Sequence, residues 1–255
     1  MRGAILLGVF AATFAAGQPA FEVASVKQQP WGENGRVGVF VTGNRLHAEH
    51  VALIDLVEFA YNLRDFQTSG GPGWVRSSLY DPERYEVDAR AAGDMPPPME
   101  QFRMMLRGLL ADRFQLQVTQ GKKDFPAFNL VVAKNGPKLK ASAPDAKFAA
   151  RTDLGSLGVH GLHIKATGAP MTYLAGQLNQ YAGRPVIDKT GLMGPYDFEI
   201  EWLQESRNGA PSADAASNGP SIFSAVQDVF GLKLEAGMAP FDTLVIERAE
   251  KPSGN

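Results

Sequence analysis

The chain holds four histidines in two His-x-x-His pairs, His47 with His50 and His160 with His163. Imidazole is a common ligand for zinc, copper and nickel, so the first chemistry to weigh is metal binding. On a strand, residues i and i+3 face opposite sides, so neither pair is arranged to chelate unless the backbone bends. Nor does a glutamate stand beside them as in His-Glu-x-x-His. Histidines at surfaces and element boundaries are the expected reading. A metal site built from His47, His50, His160 and His163 is the alternative, and no cofactor is expected.

The stretch "VIDKTG", Val186 to Gly191, ends in the Lys-Thr-Gly letters of serine β-lactamases. Such an enzyme needs a serine with a lysine one helical turn later, so that the amine can take the hydroxyl proton. No serine here has lysine at +3, and Ser-Asp-Asn is missing. The segment is therefore expected to be strand, turn, strand, with Asp188 bonding the backbone two residues on and Gly191 or Gly194 at positive φ.

No pair of carboxylates stands out as acid and base. Glu83, Glu86 and Asp88, like Asp197, Glu199 and Glu201, alternate with apolar residues, as on the solvated face of a strand. "GGPGW" lacks the strand-to-helix setting of a phosphate loop. Trp31, Trp74, Tyr80, Tyr85, Tyr196 and Trp202 suit core and turn packing. If they line a groove, Trp74 and Arg184, at two Gly/Pro turns, mark the expected ligand site. No catalytic residue is assigned, and the reading leans away from an enzyme.

The elements that must hold these residues come twice. "NRLHAEHVAL" runs into a helical stripe of Leu53, Leu56, Val57 and Ala60, and "GLHIKATGAP" into Met171, Leu174, Ala175 and Leu178. Pro170 suits the first turn of its helix. A Gly/Pro turn follows each helix, "SGGPGWV" and "AGRPVID", with a short apolar strand expected after each. The alternating strands "YEVDARA" and "YDFEIEW" come next. Pro-rich loops precede the helices "FRMMLRGLLADRF" and "IFSAVQDVF", and each half ends in a Leu-Val-Val or Leu-Val-Ile run.

The expected fold is α+β, in two tandem repeats of like topology (strand-helix-strand-strand-helix-strand-strand), with loose similarity to the short N-terminal domains of secretins and TonB receptors. The expected boundaries are a signal peptide over 1–17, a first repeat over 18–140 that includes the strand "AFEVASVKQ", a linker over 141–159, and a second repeat over 160–255.

Arg2 precedes an apolar run from Ala4 to Phe14 and then small residues near Gly17, the pattern of a cleaved secretory signal; retention as an anchor is the alternative. The composition, with 44% hydrophobic residues, is that of a globular protein. A net charge of -2 offers no broad basic surface for nucleic acid. Zero cysteines remove disulfides and thiolate chemistry. The expected location is periplasmic or secreted, with no stable membrane span after cleavage.

Taken together, "FEVASVK", "GGPGW", "MLRGLLADRFQLQV", "LVVAKNGPKLK", "GRPVIDKTGLMGPYDFEIEW", "VFGLKLE" and "VIERAEKPSGN" resemble the DUF3738 proteins of soil bacteria, abundant in Acidobacteria. The resemblance covers Phe21 to Asn255. That family has no assigned catalytic residues to carry over. Some members resemble the extracellular part of proteins that also carry a membrane metallopeptidase domain, which implies sensing or binding. Thr119 and Gly254 depart from it, where members often have His and Glu. The expected function is an exported, non-catalytic binding or protein-interaction module, with an unknown protein or small-molecule partner in the cell envelope. The alternative is a secreted hydrolase or metal-dependent enzyme with a site between the repeats.

Overall fold

The computed structural model describes residues 19–29, 36–77, 83–154, 156, 161–203 and 219–252. The signal segment over 1–17, Trp31, Tyr80 and His160 lie outside the described residues. Helices and sheets are mixed throughout, as an α+β chain requires, and the chain divides into two compact units. Unit 1 is Met1–Lys123 with Phe241–Asn255, and unit 2 is Asp124–Pro240.

Unit 1 is built from β1 (Val23–Gln28), β2 (Gly38–Thr42), β3 (Arg45–Val51), α1 (Leu53–Tyr61), β4 (Thr68–Gly70), β5 (Tyr85–Arg90), α2 (Met99–Arg113) and the first part of β6 (Gln117–Val132). Its antiparallel sheet has the order β1-β5-β3-β2. Alternation sends Tyr85, Val87 and Ala89 of β5 and Leu46 and Ala48 of β3 to one face. The α1 stripe of Leu53, Leu56, Val57 and Ala60 is fully buried in the same core, as are Leu106 and Leu110 of α2. At the start of α1, Asp55 Oδ2 accepts the Ala52 amide at 2.8 Å, satisfying a donor the helix cannot.

Unit 2 contains β7 (Lys140–Ala141), β8 (Ala149–Asp153), β9 (Gly161–Pro170), α3 (Met171–Tyr181), β10 (Val186–Asp188), β11 (Pro195–Leu203), α4 (Ile222–Phe230) and the first part of β12 (Leu232–Arg248). Its antiparallel sheet has the order β7-β11-β9-β8. Phe198, Ile200 and Trp202 of β11 face Leu174 and Leu178 of α3 and Val226 and Phe230 of α4 in one buried cluster. Pro170 is the N-cap of α3, one position before the expected first turn. Ser221 caps α4, its hydroxyl accepting the Ser224 amide at 3.2 Å.

Three sequence readings change. The stretch over 141–159, read as a linker from its polar composition, supplies β8, and β7 overlaps its start. These strands bury little of their own, so their pattern carries no alternation to read; backbone pairing to β9 and β11 makes them strands. Next, a short strand not expected there, β4, precedes the 3-10 turn over Gly73–Arg76 in "SGGPGWV"; residues 78–82, where a strand is expected to follow, lie outside the described residues. Thr-Ser-Gly is a strand because it pairs in parallel with Leu244–Ile246 of β12. Gly70, at φ +74, is required there: a Cβ would stand 2.6 Å from the Ile246 carbonyl oxygen.

The third change is where the units are cut. Unit 1 takes its parallel partner for β4 from β12, at the end of the chain, and unit 2 pairs β10 with Phe128–Leu130 of β6. Each unit is therefore completed by the last strand of the other half of the sequence. Long-range pairing of this kind leaves no trace in local periodicity.

Candidate functional site

Among the described residues, His47, His50 and His163 are not brought together as a metal centre. His47 lies on β3 and pairs loosely with Glu49, 3.8 Å away on the same face. The backbone does bend at His50, which sits at φ +50 in an irregularity between Ala48 and Val51. The bend turns His50 into the protein, where it is buried, rather than toward His47. His163 is held on both ring nitrogens, with Nδ1 3.0 Å from Asp153 and Nε2 2.9 Å from Glu199. These carboxylates lie on either side of the ring instead of converging with it on a common point. Among the described residues, no group of three or more His, Asp or Glu side chains could hold a metal ion.

Trp74 and Arg184 belong to different units. The half-buried Trp74 packs on the unit 1 core, with the Lys251 ammonium 5.9 Å from its ring. Lys251 in turn reaches Glu83 at 2.6 Å. Arg184 is exposed, its guanidinium 5.5 Å from the centre of the Phe128 ring. In "VIDKTG", Asp188 Oδ1 accepts the Thr190 amide at 3.0 Å and its hydroxyl at 2.7 Å, and Gly191 and Gly194 sit at positive φ. This is the expected turn, and Lys189 takes no part in that hydrogen bonding.

The feature with the makings of a binding site lies within unit 1 and was not singled out from the sequence. An open depression of about 330 Å³ separates β2 from α1, lined by Val37, Gly38 and Val39 on one side, Asp55, Glu58 and Phe59 on the other, and Val51. Leu53, Leu56 and Val57 take α1 into the core, which leaves Asp55 and Glu58, one turn apart, on the flank toward β2. That offset was legible in the sequence; the depression beside it was not.

The two carboxylates are held differently. Asp55 Oδ2 accepts Arg84 Nη1 at 3.3 Å, and the buried Arg84 also donates to the carbonyls of His50 (3.1 Å) and Ser77 (2.9 Å). Glu58 Oε1 lies 3.0 Å from the Thr68 hydroxyl, which accepts Arg76 at 3.1 Å. Burial pushes the Glu58 carboxyl above its ordinary range; the Thr68 hydrogen bond opposes this, the charges of Asp55 and Asp65 add to it, and Arg76 opposes it. A half-buried carboxylate of this kind gains from a cationic partner that would satisfy its charge.

Beside the depression runs β2, at the end of its sheet. A two-residue connection, Gly43-Asn44, joins it to β3 in the register Thr42↔Arg45, Val41↔Leu46, Phe40↔His47 and Val39↔Ala48. In an antiparallel hairpin with such a turn, the pair flanking the turn is hydrogen-bonded and alternate pairs follow. The backbone groups of Thr42 and Phe40 therefore point to β3, and those of Val41 and Val39 point away from it.

The chain belongs to the DUF3738 family, described as proteins of unknown function; the family model matches residues 54–249. No curated protein and no solved structure matches it. Among the described residues, no helix is long and apolar enough to cross a membrane.

Proposed function

We propose that this protein is an exported, non-catalytic interaction module that binds an extended segment of a partner polypeptide along β2. The observation that carries the reading is the outward-facing edge of β2 next to the depression that α1 lines with Asp55 and Glu58. An added strand gains main-chain hydrogen bonds at Val39 and Val41, and its alternate side chains reach toward the depression. The carboxylates favour a basic residue there. Export is supported by Arg2 and the apolar run from Ala4 to Phe14, which suits a periplasmic or secreted location in a soil bacterium, with envelope sensing as the setting.

We also infer that the two halves are copies of one design. The support is that β1-β5-β3-β2 and β7-β11-β9-β8 follow the same order, with a helix after the third strand and a short parallel strand after that helix. The likeness to secretin and TonB domains has only element order behind it.

The test uses the full chain and an acetylated, amidated Lys-Val-Lys-Val-Lys peptide, followed by amide chemical shifts. The expected result is perturbation centred on Val39, Val41 and α1 near Glu58. Val41→Pro removes an outward donor and is expected to abolish binding while the fold persists; proline is tolerated on an edge strand where its N–H would face out. Phe40→Pro would instead break the ladder to β3. Peptide shifts that avoid β2 and α1 altogether would sink the reading.

A further inference from the structure

In unit 2, β8 is the end strand of its sheet and contributes almost nothing to the core: Ala149, Ala150, Arg151 and Thr152 are exposed, and Asp153 is half-buried. Its ladder to β9 runs from Ala149↔Thr167 to Asp153↔His163. What holds it beyond that ladder is charge. His163 of β9 has Nδ1 3.0 Å from Asp153 Oδ1 on β8 and Nε2 2.9 Å from Glu199 Oε1 on β11. Arg151 Nε stands 2.9 Å from Asp153 Oδ2, and Lys165 Nζ 2.9 Å from Glu199 Oε2. Glu201, opposite His163 on β11, accepts the Ser156 hydroxyl at 2.7 Å.

A neutral imidazole has one N–H and one lone pair, so it can donate to only one of the two carboxylates, and the other is left facing a lone pair. An imidazolium donates to both. We propose that His163 is a proton-dependent clasp, which fastens β8 to its sheet while protonated and loosens it when the proton leaves.

The surroundings favour the closed form. Burial of the ring pushes His163 down, but the hydrogen bonds and charges of Asp153 and Glu199 outweigh it, and the imidazole lies above its ordinary value near 6.5. Glu199 is lowered by its bonds to Lys165 and His163. A raised histidine contributes its full stability below the unfolded value and loses it as pH rises through the folded one. A lowered carboxylate contributes above its ordinary range and loses it as pH falls through its folded value. The clasp is therefore closed between the carboxylate and imidazole titrations and opens above the latter.

The experiment follows amide hydrogen exchange over residues 149–153 in the full chain, corrected for intrinsic pH dependence, with the His163 ring titrated by nitrogen chemical shifts. Protection of β8 is expected to fall severalfold as His163 loses its proton, while β1, the end strand of the unit 1 sheet, is unchanged. His163→Gln is expected to flatten the β8 profile, and Glu199→Gln to move its midpoint to lower pH. Constant β8 protection across the measured titration overturns the clasp, as does an unaltered profile in folded His163→Gln. If His163→Gln does not fold, the Glu199→Gln midpoint decides: a lowered midpoint supports the clasp, and an unmoved one refutes it.

Discussion

Phe114-Gln115-Leu116 in unit 1 and Phe230-Gly231-Leu232 in unit 2 make the same turn from helix to strand with different residues at its centre. Gln115 is at φ +47 and Gly231 at φ +62, both left-handed. In both turns the phenylalanine carbonyl accepts a distant amide, Glu250 N at 2.7 Å in unit 1 and Lys138 N at 2.8 Å in unit 2. The backbone demand is thus shared, but the space is not. A Cβ on Gly231 would stand 2.2 Å from the Gly136 carbonyl oxygen, whereas Gln115 is exposed and its amide donates to the Asp112 carbonyl at 2.8 Å. A neighbouring backbone, and not the left-handed conformation alone, makes glycine obligatory in one turn and dispensable in the other.

The sharpest way to break this comparison is Gly231→Ala. The left-handed penalty of about 1–2 kcal/mol is joined by a backbone collision that overpacking data put at about 1–3 kcal/mol more. We expect a loss of about 2–5 kcal/mol, read from the denaturant midpoint; a loss no larger than the conformational penalty would show that the Gly136 segment yields freely. Next in size is a contrast at the start of β5 and β11, where Arg84 precedes Tyr85 and Pro195 precedes Tyr196. Arg84 is buried and serves two carbonyls and Asp55, whereas Pro195 is exposed. Arg84→Met removes the donor that serves those acceptors, at an expected cost of about 2–3 kcal/mol, below the usual figure for a buried pair because Asp55 reaches solvent and keeps the Ala52 amide. Thermal unfolding measures it, and a neutral result would mean that water replaces the guanidinium.

A smaller effect tests the "VIDKTG" turn. Asp188→Ala removes both bonds to Thr190 and is expected to cost about 1 kcal/mol. Lys189→Ala, outside that network, is expected to change stability by no more than about 0.5 kcal/mol. Equal losses by chemical denaturation would assign the lysine a structural part that its position does not suggest.

What could be read from the sequence was local. The stripes of Leu53, Leu56, Val57 and Ala60 and of Met171, Leu174, Ala175 and Leu178 specified α1 and α3, because burial on one helical face writes a 3.6-residue period into the chain. The turn at Asp188 was legible for the same reason: its hydrogen bonds reach two residues. β8 was not, because its exposed residues carry no alternation, and β4 and β7 were not, since each is a strand by virtue of a partner far away in sequence. The depression at α1 and the clasp at His163 share that difficulty. Asp153 and Glu199 lie 10 and 36 residues from the imidazole they flank; alternation placed Glu199 on a solvated face, and Asp153 fell in the stretch read as a linker.

Gln115→Gly is the reverse of the first substitution and has the smallest expected effect. Glycine relieves a left-handed cost of about 1–2 kcal/mol but adds about 0.5–1 kcal/mol of unfolded-state entropy. It also deletes the exposed bond from Gln115 to the Asp112 carbonyl, which is worth little in water. The balance is a gain of about 0.5 kcal/mol, a small rise in denaturant midpoint without a change in slope. A loss instead would show that the glutamine side chain holds the end of α2 through that carbonyl. The two turns would then differ in how each is stabilised, and not only in the room each leaves for a side chain.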